Sequence, residues 1–376
     1  MQVSIWEKES FYAPKDVIIV GSGLVGLWCA WYLKKKNPKL SIAIVDRGII
    51  PTGASTRNAG FACFGSVTEL AEDMEKYGED NMLQLVEMRF NGLQRIRKVF
   101  KDKTIDFDLC AGYELFTEND SHKKEQLKDD MHRLNKLLHN ITGKEKTFNQ
   151  ANKKIPELGL HGVTHLIENK LEGYLHSGKL CQALLQAVQG MGVTVLNAIE
   201  ISGFEKNNDR IDLYTNQLVN ISTSRLLICT NAFARQLLPN LNIVPARGQV
   251  LVTTPIEGLK LKGTFHYDAG YYYFRNLGNR ILLGGARNKA FEEEATTEMT
   301  ITEKIQHELE QFLAKYILPG YTYQITDRWS GIMGMGNEKM PIVKEVSPQV
   351  FCAVRMSGMG VALAPVIGEQ IADMML

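Results

Sequence analysis

Three glycines in Gly21-Ser22-Gly23-Leu24-Val25-Gly26 have the spacing and setting needed to hold a phosphate. Only glycine allows the tight turn, the close approach of backbone to a pyrophosphate, and the tight strand–helix packing that such a cradle requires. A helix beginning at Leu24 would point its unsatisfied N–H groups at the anion. Asp46 stands 20 positions after Gly26, where a carboxylate accepts from ribose hydroxyls. An acid there favours an unphosphorylated ribose, and so NAD or FAD over NADP. A second segment, Pro51-Thr-Gly-Ala-Ser-Thr-Arg-Asn-Ala-Gly60, is dense in small and hydroxyl residues around Arg57. It can follow a long cofactor with backbone and side-chain donors. A third, Arg355-Met-Ser-Gly-Met-Gly-Val361, offers another turn at a helix start, where developing negative charge would be stabilised.

These groups need elements to position them. Val17–Val20 is a β-branched run of the kind found in buried parallel strands. Leu24–Lys35 reads as a helix and Leu40–Asp46 as the next strand, which together make a βαβ unit. Further helices are expected at Thr68–Tyr77, Asn81–Phe100, Asp120–Asn140, Ser177–Gln189 (capped by Ser177) and Ile301–Ile317. Strands are expected at Phe107–Phe116, Val193–Leu196, Glu200–Glu205, Ile211–Tyr214, Leu226–Cys229, through the aromatic region Ile243–Gly285, and at Val350–Val354 before a terminal helix.

Composition sets the class. Lys plus Arg is 43 and Asp plus Glu is 42, for a net charge of +1. That balance argues against general phosphate attraction to nucleic acid. The six cysteines form no Cys-x-x-Cys pair, which argues against zinc and against a disulfide framework. His161 and His165 have ligand-like spacing but glycine-containing surroundings unsuited to a helix, so no metal site is expected. Val17–Leu33 is uncharged but too short as a helix for a roughly 30 Å hydrocarbon core. The first 16 residues lack an apolar signal-peptide core. A cytoplasmic protein with no membrane span is expected.

Taken in order along the chain, these segments resemble the FAD-dependent D-amino-acid oxidase superfamily, in its glycine oxidase, sarcosine oxidase and γ-glutamylputrescine oxidase branch. Asn231-Ala-Phe, Pro245-Ala-Arg-Gly-Gln249, Tyr271-Tyr-Tyr-Phe-Arg275, Ile281-Leu-Leu-Gly-Gly-Ala-Arg287 and Trp329-Ser-Gly-Ile-Met333 add to the likeness. The resemblance implies an α/β protein with a Rossmann-like FAD-binding domain (1–102, 155–232 and 326–376). Interleaved with it would be a substrate domain on a mixed, largely antiparallel sheet (103–154 and 233–325). It implies oxidation of a C–N bond of a small amine or amino acid by hydride transfer to flavin N5, followed by hydrolysis of the imine. It places Gly21–Gly26, Asp46, Arg47, Ser55, Thr56, Arg57, Asn58, Ala59, Gly60, Ile201, Asn231, Gly334, Gly358, Met359, Gly360 and Val361 along the cofactor. Tyr272, Arg287 and Arg57 are the candidates for the substrate side.

Two departures matter. Ser330–Pro341 contains no cysteine, so the FAD is expected to be non-covalent. Glycine and D-amino-acid oxidases hold the substrate carboxylate with an arginine where this chain has Met333. Either Arg57, Arg247, Arg275 or Arg287 holds it instead, or the substrate is an amine. Leu282 stands near the position where sarcosine oxidases place a lysine for oxygen, which leaves O2 and an electron carrier both open. The competing readings are a flavin-dependent tRNA-modifying enzyme, a non-catalytic flavoprotein or dehydrogenase subunit, and a plain NAD dehydrogenase.

Overall fold

The computed structural model describes residues 2–217 and 219–376. Two eight-stranded sheets organise them. At the centre of the first, Lys15–Val20 lies between Ile42–Val45 and Ile221–Ile228, both parallel to it. Thr194–Leu196 and Val350–Val354 extend the parallel set outward. Strands this enclosed must be apolar throughout, and Val17, Ile19, Ile44, Leu226 and Val354 are completely buried. Against this sheet lie the helices Leu24–Lys36 and Gly360–Met375, with Glu79–Val99 packed on the latter. The uncharged stretch from Val17 is thus a core strand and a helix enclosed on nearly every side.

The second sheet runs, edge to edge, Ile325–Met335, Val244–Thr253, Arg280–Gly285, Tyr272–Leu277, Thr264–Tyr267, Gly112–Thr117, Val163–Asn169 and Phe148–Gln150. All pairs are antiparallel except Thr264–Tyr267 with Gly112–Thr117. Val163–Asn169, and Ile325–Met335 from its second residue on, fall in segments expected to belong to the nucleotide-binding domain, and both strands pair in this second sheet. Strand pairing is non-local, and their composition carries no mark of it. The Gly53–Gly60 loop contains a short helix, Ala54–Arg57. Ser177 does not cap its helix. His176 accepts from Lys179 N through Nδ1 (3.3 Å), while the Ser177 hydroxyl donates to Asn58 Oδ1 (2.5 Å).

Two buried carboxyls sit between the helical layer and the second sheet. Glu172 accepts from Phe64 N (2.7 Å) and Gly65 N (3.2 Å). Glu114 accepts from Ser66 Oγ (3.0 Å) and from Thr68. Burial raises their pKa values from 4.5 to about 8 and about 7. Unfolded, both groups lose their protons near 4.5; folded, they keep them to about 7 and 8. The folded chain therefore holds more protons across that window, and stability falls as pH rises through it. Melting temperature is expected to drop by several degrees between pH 5 and 8. In Glu172→Gln, which keeps the acceptor but not the titration, that drop should be visibly smaller.

Candidate active site

The glycine turn works by backbone proximity. Gly21 has φ +110°, and a side chain there would meet the Cys229 carbonyl at 2.9 Å. At Gly26 a Cβ would collide with the Gly21 carbonyl oxygen. Gly23 is the N-cap of the Leu24–Lys36 helix and supplies no side-chain cap. Ser55 Oγ reaches across to accept from Leu24 N (2.9 Å), which ties the loop to the helix start. Asp46 Oδ2 accepts from both Ser22 N (2.8 Å) and Ser22 Oγ (2.7 Å), and Oδ1 accepts from Gly48 N (2.8 Å). These bonds fix the carboxylate at the rim of the turn.

A cavity of about 710 Å³ begins here and runs to the second sheet. Gly21, Gly23, Leu24, Val25, Asp46, Arg47, Ser55, Arg57, Asn58, Ala59, Ile201, Asn231, Gly358, Met359, Gly360 and Val361 all line it. Ser22, Gly26, Thr56, Gly60 and Gly334 support the wall from behind. The Thr56 hydroxyl donates to Pro51 O (2.5 Å), and a Cβ on Gly334 would lie 2.8 Å from Asn231 Oδ1. Asn231 Oδ1 accepts from Arg355 N (3.1 Å) and Met356 N (3.2 Å), which sets the turn before the terminal helix. That helix also starts without a side-chain cap. Neither N-cap residue caps its helix with a side chain, and both helix starts open onto one cavity, Ser55 Oγ taking Leu24 N at the first. Two cavity-lining residues, Thr230 and Ser357, carry buried hydroxyls with no hydrogen-bond partner among the described residues. A glycine cradle, bare N–H groups and orphaned hydroxyls fit a long ligand with an anionic centre, as a dinucleotide is.

On the substrate side, Tyr272 is not a cavity residue. It is 5% exposed, its ring stacks on Phe312 at 4.7 Å, and it belongs to the second sheet's apolar layer. Tyr273 lines the cavity instead. Successive side chains of a strand point to opposite faces, so an error of one position in a Tyr-Tyr-Tyr run exchanges wall for core. Gly284, opposite Tyr273, leaves room for its ring, where a Cβ would come within 2.5 Å. Burial pushes the Tyr273 phenol up to about 12. Met333 spans from the sheet to the terminal helix: its Sδ lies 3.4 Å from a Cβ built on Gly358, and its methyl 3.4 Å from one on Gly248.

The four candidate arginines separate clearly. Arg57 donates to Thr52 O (2.9 Å) and Ser330 O (2.9 Å), and Trp329 Nε1 donates to its carbonyl (2.9 Å). It clamps the loop to the edge strand. Arg275 donates to Ala59 O (2.7 Å) from beneath the wall. Arg247 is buried in a bidentate pair with Glu294 (2.8 Å each) and also donates to Thr300 (2.7 Å). Arg247→Met would strand a buried carboxylate, and a loss of about 3–5 kcal/mol of stability is expected in denaturant unfolding. Arg287 lines the cavity, and among the described residues no hydrogen bond or ion pair holds it. It stacks 4.8 Å from the Phe291 ring centroid.

The sequence reading missed a group at the far end of the cavity. Glu69, Asp73, Arg89, His266 and Lys339 line it there. Arg89 donates to Glu69 Oε1 (2.9 Å), and Lys339 pairs with Asp73 (2.6 Å) and Glu69 (3.5 Å). A signal existed. Arg89 falls on the apolar stripe Met82, Leu85, Val86, Leu93, Ile96, and Asp73 on the stripe of Val67 and Leu70. A charge in such a stripe requires a partner.

Comparison with known proteins places this geometry. The family model described as FAD dependent oxidoreductase (DAO) matches residues 16–374. A curated relative, the probable oxidoreductase OrdL of Haemophilus influenzae, is 23% identical across 96% of this chain and 83% of its own length. Glycine oxidase from Geobacillus kaustophilus superposes with a TM-score of 0.78 at 19% identity, covering 96% of this chain and 94% of its own. L-α-glycerophosphate oxidase from Mycoplasma pneumoniae, solved with FAD bound, superposes with a TM-score of 0.74 at 15% identity, covering 96% and 95%. No helix among the described residues is long and apolar enough to cross a membrane. The glycine turn, the second helix N-terminus and the matching family model over nearly the whole length together make this chain a member of the FAD-dependent oxidoreductase (DAO) family.

Proposed function

We propose that this enzyme oxidises the C–N bond of a small amino acid or related amine, with FAD held non-covalently. The observation that carries this reading is Arg287, a cavity guanidinium without a hydrogen-bond partner among the described residues, on the wall that Tyr273 shares. A half-buried cation with no paired carboxylate favours an anionic ligand group, and a guanidinium suits a carboxylate. Likeness to glycine oxidase, named for an amino acid, supports it.

FAD, when bound, supplies the acceptor for a hydrogen and an electron pair from the carbon beside nitrogen, and water then cleaves the imine. The chain's own groups position the substrate. Arg287 holds its anionic group. The Tyr273 hydroxyl keeps its proton at neutral pH and so acts as a donor. Met333, Met356 and Met359 exclude water from the reacting end. The Gly360–Met375 helix start favours negative charge on whatever lies against it. The cavity thiols, Cys63 and Cys229, are kept protonated by burial, which supports a non-covalent cofactor. The electrons leave to O2 or to an electron carrier, and peroxide formation in air separates the two.

The purified protein should be yellow, and its flavin should bleach anaerobically with an amino acid but far more slowly with the decarboxylated amine. Protein that binds no FAD, or a flavin that no amine or amino acid reduces, would sink the proposal.

A further inference from the structure

The ionic group at the far end of the cavity has spare capacity of one kind. Both cations are engaged: Arg89 donates to Glu69 (2.9 Å) and contacts Cys63 Sγ (3.8 Å), and Lys339 is taken by Asp73 and Glu69. Their partners leave two acceptors over. Glu69 uses Oε1 for both cations, and its Oε2 accepts nothing among the described residues. His266 lines the cavity with its ring edge-on to Phe61 at 5.1 Å, and no hydrogen bond holds its nitrogens among the described residues. Burial pulls the imidazole down to about 4, so it stays neutral and accepts without repelling a cation. Of the other charged cavity residues at this end, Glu338 is paired with Arg355 (3.2 Å), and Glu72 and Lys76 balance each other.

The sheet register gives the reach. His266 lies opposite Tyr273, and Tyr273 opposite Gly284, on the strand that ends just before Arg287. The strand carrying Gly284 is thus two steps from the strand carrying His266, about 10 Å at the usual strand spacing, and Arg287 opens the short helical turn three residues beyond Gly284. A carboxylate on Arg287 would leave a chain the length of a lysine or arginine side chain to cross Tyr273 and end at Glu69.

We propose that Glu69 and His266 form a subsite for a cationic side-chain terminus, which makes the substrate a basic amino acid. This rests on the reading that Arg287 holds a carboxylate in a C–N oxidation. If the group were only an ionic lock between helices, it would leave side-chain preference untouched.

The test uses the FAD-loaded enzyme with lysine, norleucine and α-aminoadipate, both enantiomers of each. These have similar reach and end in a cation, a methyl and an anion. Two readings are taken: the rate of anaerobic flavin reduction, and the ligand-induced change in flavin absorbance or melting temperature. Lysine is expected to exceed norleucine by at least about tenfold and α-aminoadipate by about a hundredfold, since a desolvated charge pair contributes a few kcal/mol. In Glu69→Gln, judged on protein that retains FAD, the lysine-to-norleucine ratio should fall towards one. Norleucine matching lysine, or α-aminoadipate exceeding it, overturns the subsite while leaving C–N oxidation intact. Lysine that binds without reducing the flavin upholds the subsite and removes the oxidation reading. Absence of both binding and reduction overturns the subsite. The wild-type ratios decide the matter even if the variant fails to fold.

Discussion

Gly26→Ala is expected to purify without FAD and to lose about 1–3 kcal/mol of stability, as overpacking typically costs. The added methyl would collide with the Gly21 carbonyl oxygen and lie 3.1 Å from Ile19 Cγ2. The first neighbour is backbone, so no rotamer change relieves it. Relief requires the Leu24–Lys36 helix to back away from the Lys15–Val20 strand, which moves the helix N–H groups off the phosphate position. Gly190→Ala is the matched control. Gly190 ends the Ser177–Gly190 helix outside the cavity lining and has nothing within 4 Å of an added Cβ, so colour should stay at the wild-type value and melting temperature should not fall. Flavin absorbance per polypeptide measures both variants. Full FAD occupancy in Gly26→Ala would show that the turn tolerates a separation the packing does not suggest.

The second large effect is expected at Arg287. Arg287→Met should retain FAD and melt like wild type, because no hydrogen bond or ion pair of the described protein is lost. Its kcat/KM for amino acids should fall roughly 30- to 4,000-fold, which corresponds to the 2–5 kcal/mol lost when one member of a desolvated charge pair is truncated. Arg287→Lys should recover part of this, since it restores charge but not the planar fork. Rates with decarboxylated amines should change little. Equal loss for amines and amino acids would mean that Arg287 supports the wall rather than the carboxylate. Arg247→Met gives the opposite pattern, unstable before it is inactive, because its charge is already matched by Glu294.

What could be read from the sequence follows how local each feature is. The Gly21–Gly26 cradle, the strand and helix flanking it, and the terminal strand–turn–helix are each contiguous segments whose physics is local. Their place in the cavity follows from backbone geometry. The substrate side is different. Tyr272 and Tyr273 are the same residue type one position apart, and only the sheet's pairing decides which faces the cavity. Four arginines looked alike as carboxylate ligands, and hydrogen bonds to Glu294, Ala59 O or Ser330 O set three of them apart from Arg287. Glu69, Arg89, His266 and Lys339 come from two helices, a strand and a loop, up to 270 positions apart.

The sequence alone therefore determined the glycine turn with its flanking strand and helix, because a phosphate-binding turn is a matter of backbone N–H groups that a short run of glycines exposes. Only the tertiary structure separated the residues proposed for the substrate side. There, recognition depends on which side chains are left unpaired, and that is a property of every neighbour at once.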